Sequence, residues 1–141
     1  MRAIRVLHCI TDLSPDGAQR TLLRLLSGLD PGTFESRVVC LKGGDSLEPL
    51  FRRSGIPVLQ LDVERGVSMI PRLMTLRSIF RRWQPDLVQG WMYHGNIAAL
   101  ITSRFFRSPV PVLWNIRRCL YDITKDRLGT QCAIRLGAQL S

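Results

Sequence analysis

Five short apolar runs, rich in β-branched residues, alternate with helical repeats along the whole chain, and few architectures accommodate that order. Residues 4–10 (Ile-Arg-Val-Leu-His-Cys-Ile), 35–42, 57–61, 86–90 and 110–116 read as strands. Between them apolar residues recur at helical spacing. Leu22, Leu25, Leu26 and Leu29 share one face of a first helix, stopped by Asp30-Pro31-Gly32. Residues 46–54 make a short second helix closed by Gly55. A third covers residues 69–83, with Leu73, Leu76, Phe80 and Trp83 on one face. A fourth is predicted over 95–106 and a fifth from 127 to the end, with Leu128, Cys132, Leu136 and Leu140 spaced by four. Strands linked through helices run parallel and are covered on both faces. The fold class is therefore α/β, a Rossmann-like doubly wound parallel sheet in a single domain over residues 1–141.

Composition narrows the class further. With 45% hydrophobic and 22% charged residues, the chain has enough apolar mass for a core and is not a disordered polymer. Cys9, Cys40, Cys119 and Cys132 form no C-x-x-C pair, so no zinc spacing is present. Cys9 and Cys40 fall inside strands and are expected in the core. Met1 leads directly into a strand pattern, and no apolar run approaches the roughly 18 residues of a membrane span. A reducing, cytoplasmic setting is expected.

The net charge is +9, and residues 46–141 carry +8 of it. All basic residues but Lys42 and Lys125 are arginine, the residue suited to bidentate contact with phosphate or carboxylate. That excess is equally a solvated face. A basic surface suits nucleic acid, anionic lipid or phosphorylated ligands without choosing among them.

Three strand ends carry polar residues. An open α/β sheet binds ligands at the strands' carboxyl edge, so these are the candidate site. After the first strand, Gly17 keeps the backbone open at the start of a helix whose free N–H groups favour an anion. Asp16 is expected to cap that helix in a capping box with Gln19. Both the G-x-G-x-x-G and the Walker A patterns are absent.

After the fourth strand comes Gln89-Gly90-Trp91-Met92-Tyr93-His94-Gly95-Asn96. His94 reads either as a base or sugar-hydroxyl partner, or as a helix-start histidine bonded to a backbone carbonyl. Trp91 and Tyr93 either stack on a sugar face or pack beneath the loop. Asn96 reads as a cap of the next helix. After the fifth strand, Arg117 and Arg118 either bind an anionic group or pair with Asp122 or Asp126.

These motifs, in this order, resemble the N-terminal half of glycosyltransferase family 4, retaining enzymes of the GT-B architecture. The resemblance runs the whole length. It rests on I-R-V-L-H-C-I-T-D-L-S-P-D-G-A-Q-R-T-L-L, on P-D-L-V-Q-G-W-M-Y-H-G-N-I-A-A-L, on V-L-W-N-I-R-R and on the G-I-P-V at residues 55–58. It implies two Rossmann-like domains facing a cleft. The N-terminal one holds a glycan or lipid-linked acceptor, and the C-terminal one holds a nucleotide-sugar donor.

On this reading Gly17 and Ala18 approach the donor diphosphate, His94 is catalytic, and Trp91, Tyr93, Asn96, Arg117 and Arg118 bind the acceptor. Asp16-Gly17 stands where family members carry Gly-Gly, and Gln89 and Trp91 stand where many carry histidine. His94 and Asn96 match a His-x-Asn variant.

The resemblance implies no metal and no cofactor beyond the nucleotide-sugar substrate. It also implies a donor-binding domain that these residues do not contain, so the chain reads as truncated and inactive alone, with a separate C-terminal domain as a partner. Many acceptors of this kind belong to envelope polysaccharide synthesis. The Arg-rich stretches 72–82 and 104–107 then suit an anionic membrane, with peripheral attachment at the inner face of the cytoplasmic membrane.

The alternative is a non-enzymatic basic module for nucleic acid, an anionic membrane or a partner protein. Nucleic acid is disfavoured because no helix-turn-helix, RNA-recognition or zinc-finger pattern occurs. An oxidoreductase is disfavoured by the missing glycine fingerprint and by Lys42, where an acidic residue would end the second strand.

Overall fold

The computed structural model describes residues 2–43, 46–63, 69–104, 110–116 and 128–140. Five strands form one all-parallel sheet: β1 (Ile4–Ile10), β2 (Phe34–Cys40), β3 (Val58–Gln60), β4 (Leu87–Trp91) and β5 (Val112–Asn115). Five helices alternate with them: α1 (Gly17–Ser27), α2 (Glu48–Arg53), α3 (Met69–Trp83), α4 (Met92–Ser103) and α5 (Leu128–Leu140). The strand order is β3-β2-β1-β4-β5. The chain winds outward from β1 to β3, crosses back, and resumes at β4 on the other side of β1. The α/β doubly wound class expected from the alternation is the class observed.

Side-chain alternation along the strands splits the core in two. Ile10, Val38, Cys40, Val58 and Trp91 face one side, where Leu22 and Leu26 of α1 and Phe51 of α2 cover them. Leu7, Cys9, Val39 and Val88 face the other, under Leu76, Phe80 and Trp83 of α3 and Ala99 of α4. Leu25 departs from the expected helical face: it is 43% exposed, and Leu23 packs against the core as well as Leu29. The α5 face is also reversed. Leu128 is 79% exposed and Leu136 and Cys132 are exposed, while Ile134 is the buried residue. Among the described residues that helix packs chiefly on α4, so this neighbour chooses which stripe is covered. The Leu73 and Leu140 side chains and Cys119 lie outside the description. Gly55 ends α2 with φ +73°, a conformation that costs only glycine nothing.

The amino edge of the sheet consumes many of the charges. Asp86 accepts two hydrogen bonds from the Arg2 guanidinium, at 2.6 and 2.7 Å, and one from the Arg5 backbone N–H at 2.9 Å. The Trp83 indole donates to Glu35 Oε1 at 2.7 Å, and the Arg37 guanidinium stands 4.5 Å over the indole. Arg5 donates to the Trp83 carbonyl at 2.8 Å. These contacts tie α3 to β1 and β2 at the edge opposite the candidate site, so Arg2, Arg5 and Arg37 are structural. Arg77, Arg81 and Arg82 of α3, by contrast, face solvent beside Met74 and Ser78.

Candidate functional site

The winding reverses between β1 and β4, and there α1 and α4 diverge above the strands' carboxyl ends. The resulting cleft, about 640 Å³, is lined by residues 10–12, 16–19 and 92–94 with Thr21 and Thr130. Open α/β sheets bind ligands at such a switch point. Gly17, Ala18, Tyr93 and His94 are brought together in it. A Cβ on Gly17 would meet nothing within 4 Å, so the backbone there is open to a ligand.

The capping box does not form. Asp16 is the N-cap residue by its backbone, with Arg20 N–H donating to its carbonyl at 3.0 Å, but its carboxylate makes no cap bond. Its Oδ2 lies 3.1 Å from Ser14 Oγ, whose proton goes to the closer Asp12. Gln19 does not reach back to Asp16. The Gln19 amide is buried and donates to Asp12 Oδ1 at 2.8 Å, and Ser14 Oγ donates to the same oxygen at 2.5 Å. Asp12 outcompetes the cap because it offers Gln19 a charged acceptor beneath the loop.

Asp12 is the cleft residue that sequence reasoning missed. Partial burial opposes its charge. The hydrogen bonds from Ser14 and Gln19, with the nearby Lys42 ammonium, outweigh that and hold it below the usual carboxylate range. The available signal was its position two residues beyond the end of β1, level with Gly17. With the α1 N–H groups left unbonded by any cap side chain, this side of the cleft presents backbone donors next to a fixed carboxylate.

The α4 side is built by two close approaches. The helix starts at Met92, three residues earlier than the sequence predicts, because Met92 itself makes the turn with φ +62°. Tyr93 and His94 therefore stand in the first helical turn. A Cβ on Gly95 would lie 2.4 Å from the Cys9 carbonyl oxygen of β1, and one on Gly90 would lie 2.4 Å from Asn96 Cα. The two glycines seat α4 directly on β1 and β4. Asn96 is 2% exposed and does not line the cleft. Nor does it cap α4: with the amide turned so that its nitrogen faces the turn, the orientation that satisfies both its ends, it donates to the Gly90 carbonyl at 2.9 Å and the Met92 carbonyl at 3.3 Å.

Trp91 is likewise buried beneath the site. Its indole N–H donates to His8 Nδ1 at 3.4 Å, with the ring centroids 6.5 Å apart. Burial lowers the His8 pKa to about 4, with the neighbouring Gln89 working the other way. His94 is exposed to the cleft. Partial desolvation and then the Lys42 charge lower its pKa, so its imidazole is neutral at pH 7 and free to accept a proton. The Cys9 thiol, buried between β1 and α4, is pushed up to about 12 and supplies no thiolate. Arg117 and Arg118, and their alternative partners Asp122 and Asp126, lie outside the described residues. Among the described residues no group of three His, Cys, Asp or Glu is placed to hold a metal ion, and no helix is long and apolar enough to cross a membrane.

The sheet order and the flanking helices define a Rossmann-like α/β domain with an open cleft at its switch point. Residues 16–139 match the model of the glycosyl transferase 4-like domain, and the chain belongs to that family. No curated protein sequence matches it. A solved structure, described as a putative UDP-N-acetylglucosamine 2-epimerase from Listeria monocytogenes, superposes with a TM-score of 0.61 at 17% identity. The match covers all of this chain and 38% of that one, so the chain spans about two-fifths of the neighbour's length. At that identity the likeness concerns the fold, which is the Rossmann-like half of a GT-B architecture.

Proposed function

We propose that this domain is the acceptor-holding half of a retaining glycosyltransferase that moves a sugar from a nucleotide-sugar to a hydroxyl group. The observation that carries the reading is the polar cleft at the β1–β4 boundary, which neutral His94, ionised Asp12 and the start of α1 all line. His94 accepts a hydrogen bond from the acceptor hydroxyl, and the Asp12 carboxylate fixes a second hydroxyl of the same sugar. The unbonded N–H groups at residues 17–19 meet the diphosphate of the donor, whose sugar and base sit on a second Rossmann-like domain. The reading calls for no metal, because the helix N–H groups here and basic residues of the second domain take the developing diphosphate charge.

This division of labour makes the 141-residue chain by itself inactive. Incubated with nucleotide-sugars and a lipid or glycan extract, it is expected to release no nucleoside diphosphate above the enzyme-free rate. Robust turnover by the chain alone would overturn the assignment of the donor to another domain.

A further inference from the structure

A second, apolar cavity adjoins the cleft, and the proposed function does not use it. It lies between α3 and α4 over the carboxyl ends of β2 and β3, and measures about 210 Å³. Its walls are Leu41, Leu61, Val63, Leu76, Ile97 and Ile101, with Ala98 and Thr102 at the back. His94 lines both this cavity and the polar cleft, so one imidazole is the partition between them. It is open to solvent on one side, and an apolar pocket of this kind favours the apolar part of a ligand. Its volume is below the several hundred Å³ of a site for a whole small molecule, so it suits one part of a ligand.

A cation lies in its lining. Arg72 contributes to the lining and stands in a loose ion pair with Asp62 at 3.9 Å, beyond hydrogen-bond range, which leaves most of its guanidinium donors available. An apolar slot edged by a guanidinium, joined through His94 to a polar cleft, suits an aliphatic chain carrying a phosphate next to a sugar or hydroxyl.

We propose that this cavity is the subsite for the aliphatic chain of an anionic, amphiphilic acceptor, with Arg72 on its phosphate and His94 at the junction. The inference rests on the transferase reading only for the word acceptor; the binding itself stands apart from it.

The test is a titration of the chain with alkyl phosphates from butyl to decyl, below their micelle-forming concentrations, beside inorganic phosphate and octyl glucoside. Binding is followed by the methyl resonances of Leu61, Leu76, Ile97 and Ile101. Affinity is expected to rise about fourfold per added methylene until the cavity is full and then to level off. Octyl glucoside, which lacks the charge, is expected to bind more weakly than octyl phosphate. Ala98→Phe fills the cavity and is expected to flatten the series to the level of inorganic phosphate. Arg72→Gln, which leaves the walls intact, is expected to weaken every phosphate while keeping the dependence on chain length.

A flat series in the wild type, methyl shifts outside the cavity, or an unchanged series in folded Ala98→Phe would overturn the proposal. Equal binding of octyl glucoside and octyl phosphate would overturn its anionic part. Alkyl phosphate binding in the cavity, with robust turnover by the chain alone, would remove the division of labour and leave the subsite standing. A flat series with that division intact would do the reverse.

Discussion

Gly95→Ala is expected to destabilise the domain by about 3 kcal/mol or more, although glycine to alanine within a helix ordinarily gains about 1 kcal/mol. The added methyl would lie 2.4 Å from the Cys9 carbonyl oxygen, a backbone atom that cannot turn aside. Relief requires moving α4 about 1 Å off the sheet, which opens the packing over Leu7, Cys9 and Val88. For a chain of this size that loss lowers the melting temperature by about 10 °C. Gly17→Ala is the control. Its methyl meets nothing within 4 Å and its backbone needs no left-handed conformation, so stability is expected to stay within about 1 kcal/mol of wild type. Thermal denaturation of the two variants measures the difference. Equal, small effects would show that α4 does not sit on β1 as described.

The second large effect is a dependence of stability on pH set by His8. The side chain is 2% exposed, and its folded pKa of about 4 lies well below the 6.5 of the unfolded chain. Because the Trp91 indole donates to Nδ1, the neutral ring carries its proton on Nε2, and a second proton on Nδ1 would break that bond. Above pH 6.5 both states hold the ring neutral and His8 imposes no slope. Between 6.5 and 4 the unfolded state binds the extra proton and the folded state does not, so stability falls as pH falls. By pH 4 the loss reaches about 3 kcal/mol. Urea denaturation between pH 7.5 and 4 measures it. His8→Leu is expected to remove this slope, while losing the Trp91–His8 hydrogen bond at a cost of about 1 kcal/mol at pH 7. The same slope in His8→Leu would place the pH sensitivity elsewhere.

The sheet was legible because five runs such as Val6–Leu7 and Val38–Val39 carry their own signature, independent of what packs on them. Helix faces were legible only where the sheet lies beneath them. Leu76, Phe80 and Trp83 of α3 are buried as their spacing implies, whereas α5, packed chiefly on α4, buries Ile134 and leaves Leu128, Cys132 and Leu136 exposed. The start of α4 was not legible. Left-handed turns are assigned to glycine or asparagine from local chemistry, and here Met92 takes one while the glycines serve contacts with β1 and Asn96. The contact of Gly95 with Cys9 joins residues more than eighty positions apart and leaves no mark in local sequence. The same holds for Asp12, whose competition with Asp16 for Gln19 depends on a loop geometry that a capping pattern does not encode. Trp91 and Asn96 were read as ligand contacts because polar and aromatic residues at a strand end look alike whether they line a cleft or support it.

The central claim is that the β1–β4 cleft is where this domain holds its ligands. Backbone amide shifts, recorded while the chain is titrated with inorganic pyrophosphate and separately with methyl glycosides, test it most directly. Pyrophosphate is expected to move Gly17, Ala18 and Gln19, and the glycosides are expected to move Asp12, Tyr93 and His94. Shifts confined to the solvent-facing arginines at 77, 81 and 82, or to the Arg2–Asp86 edge, would contradict the account.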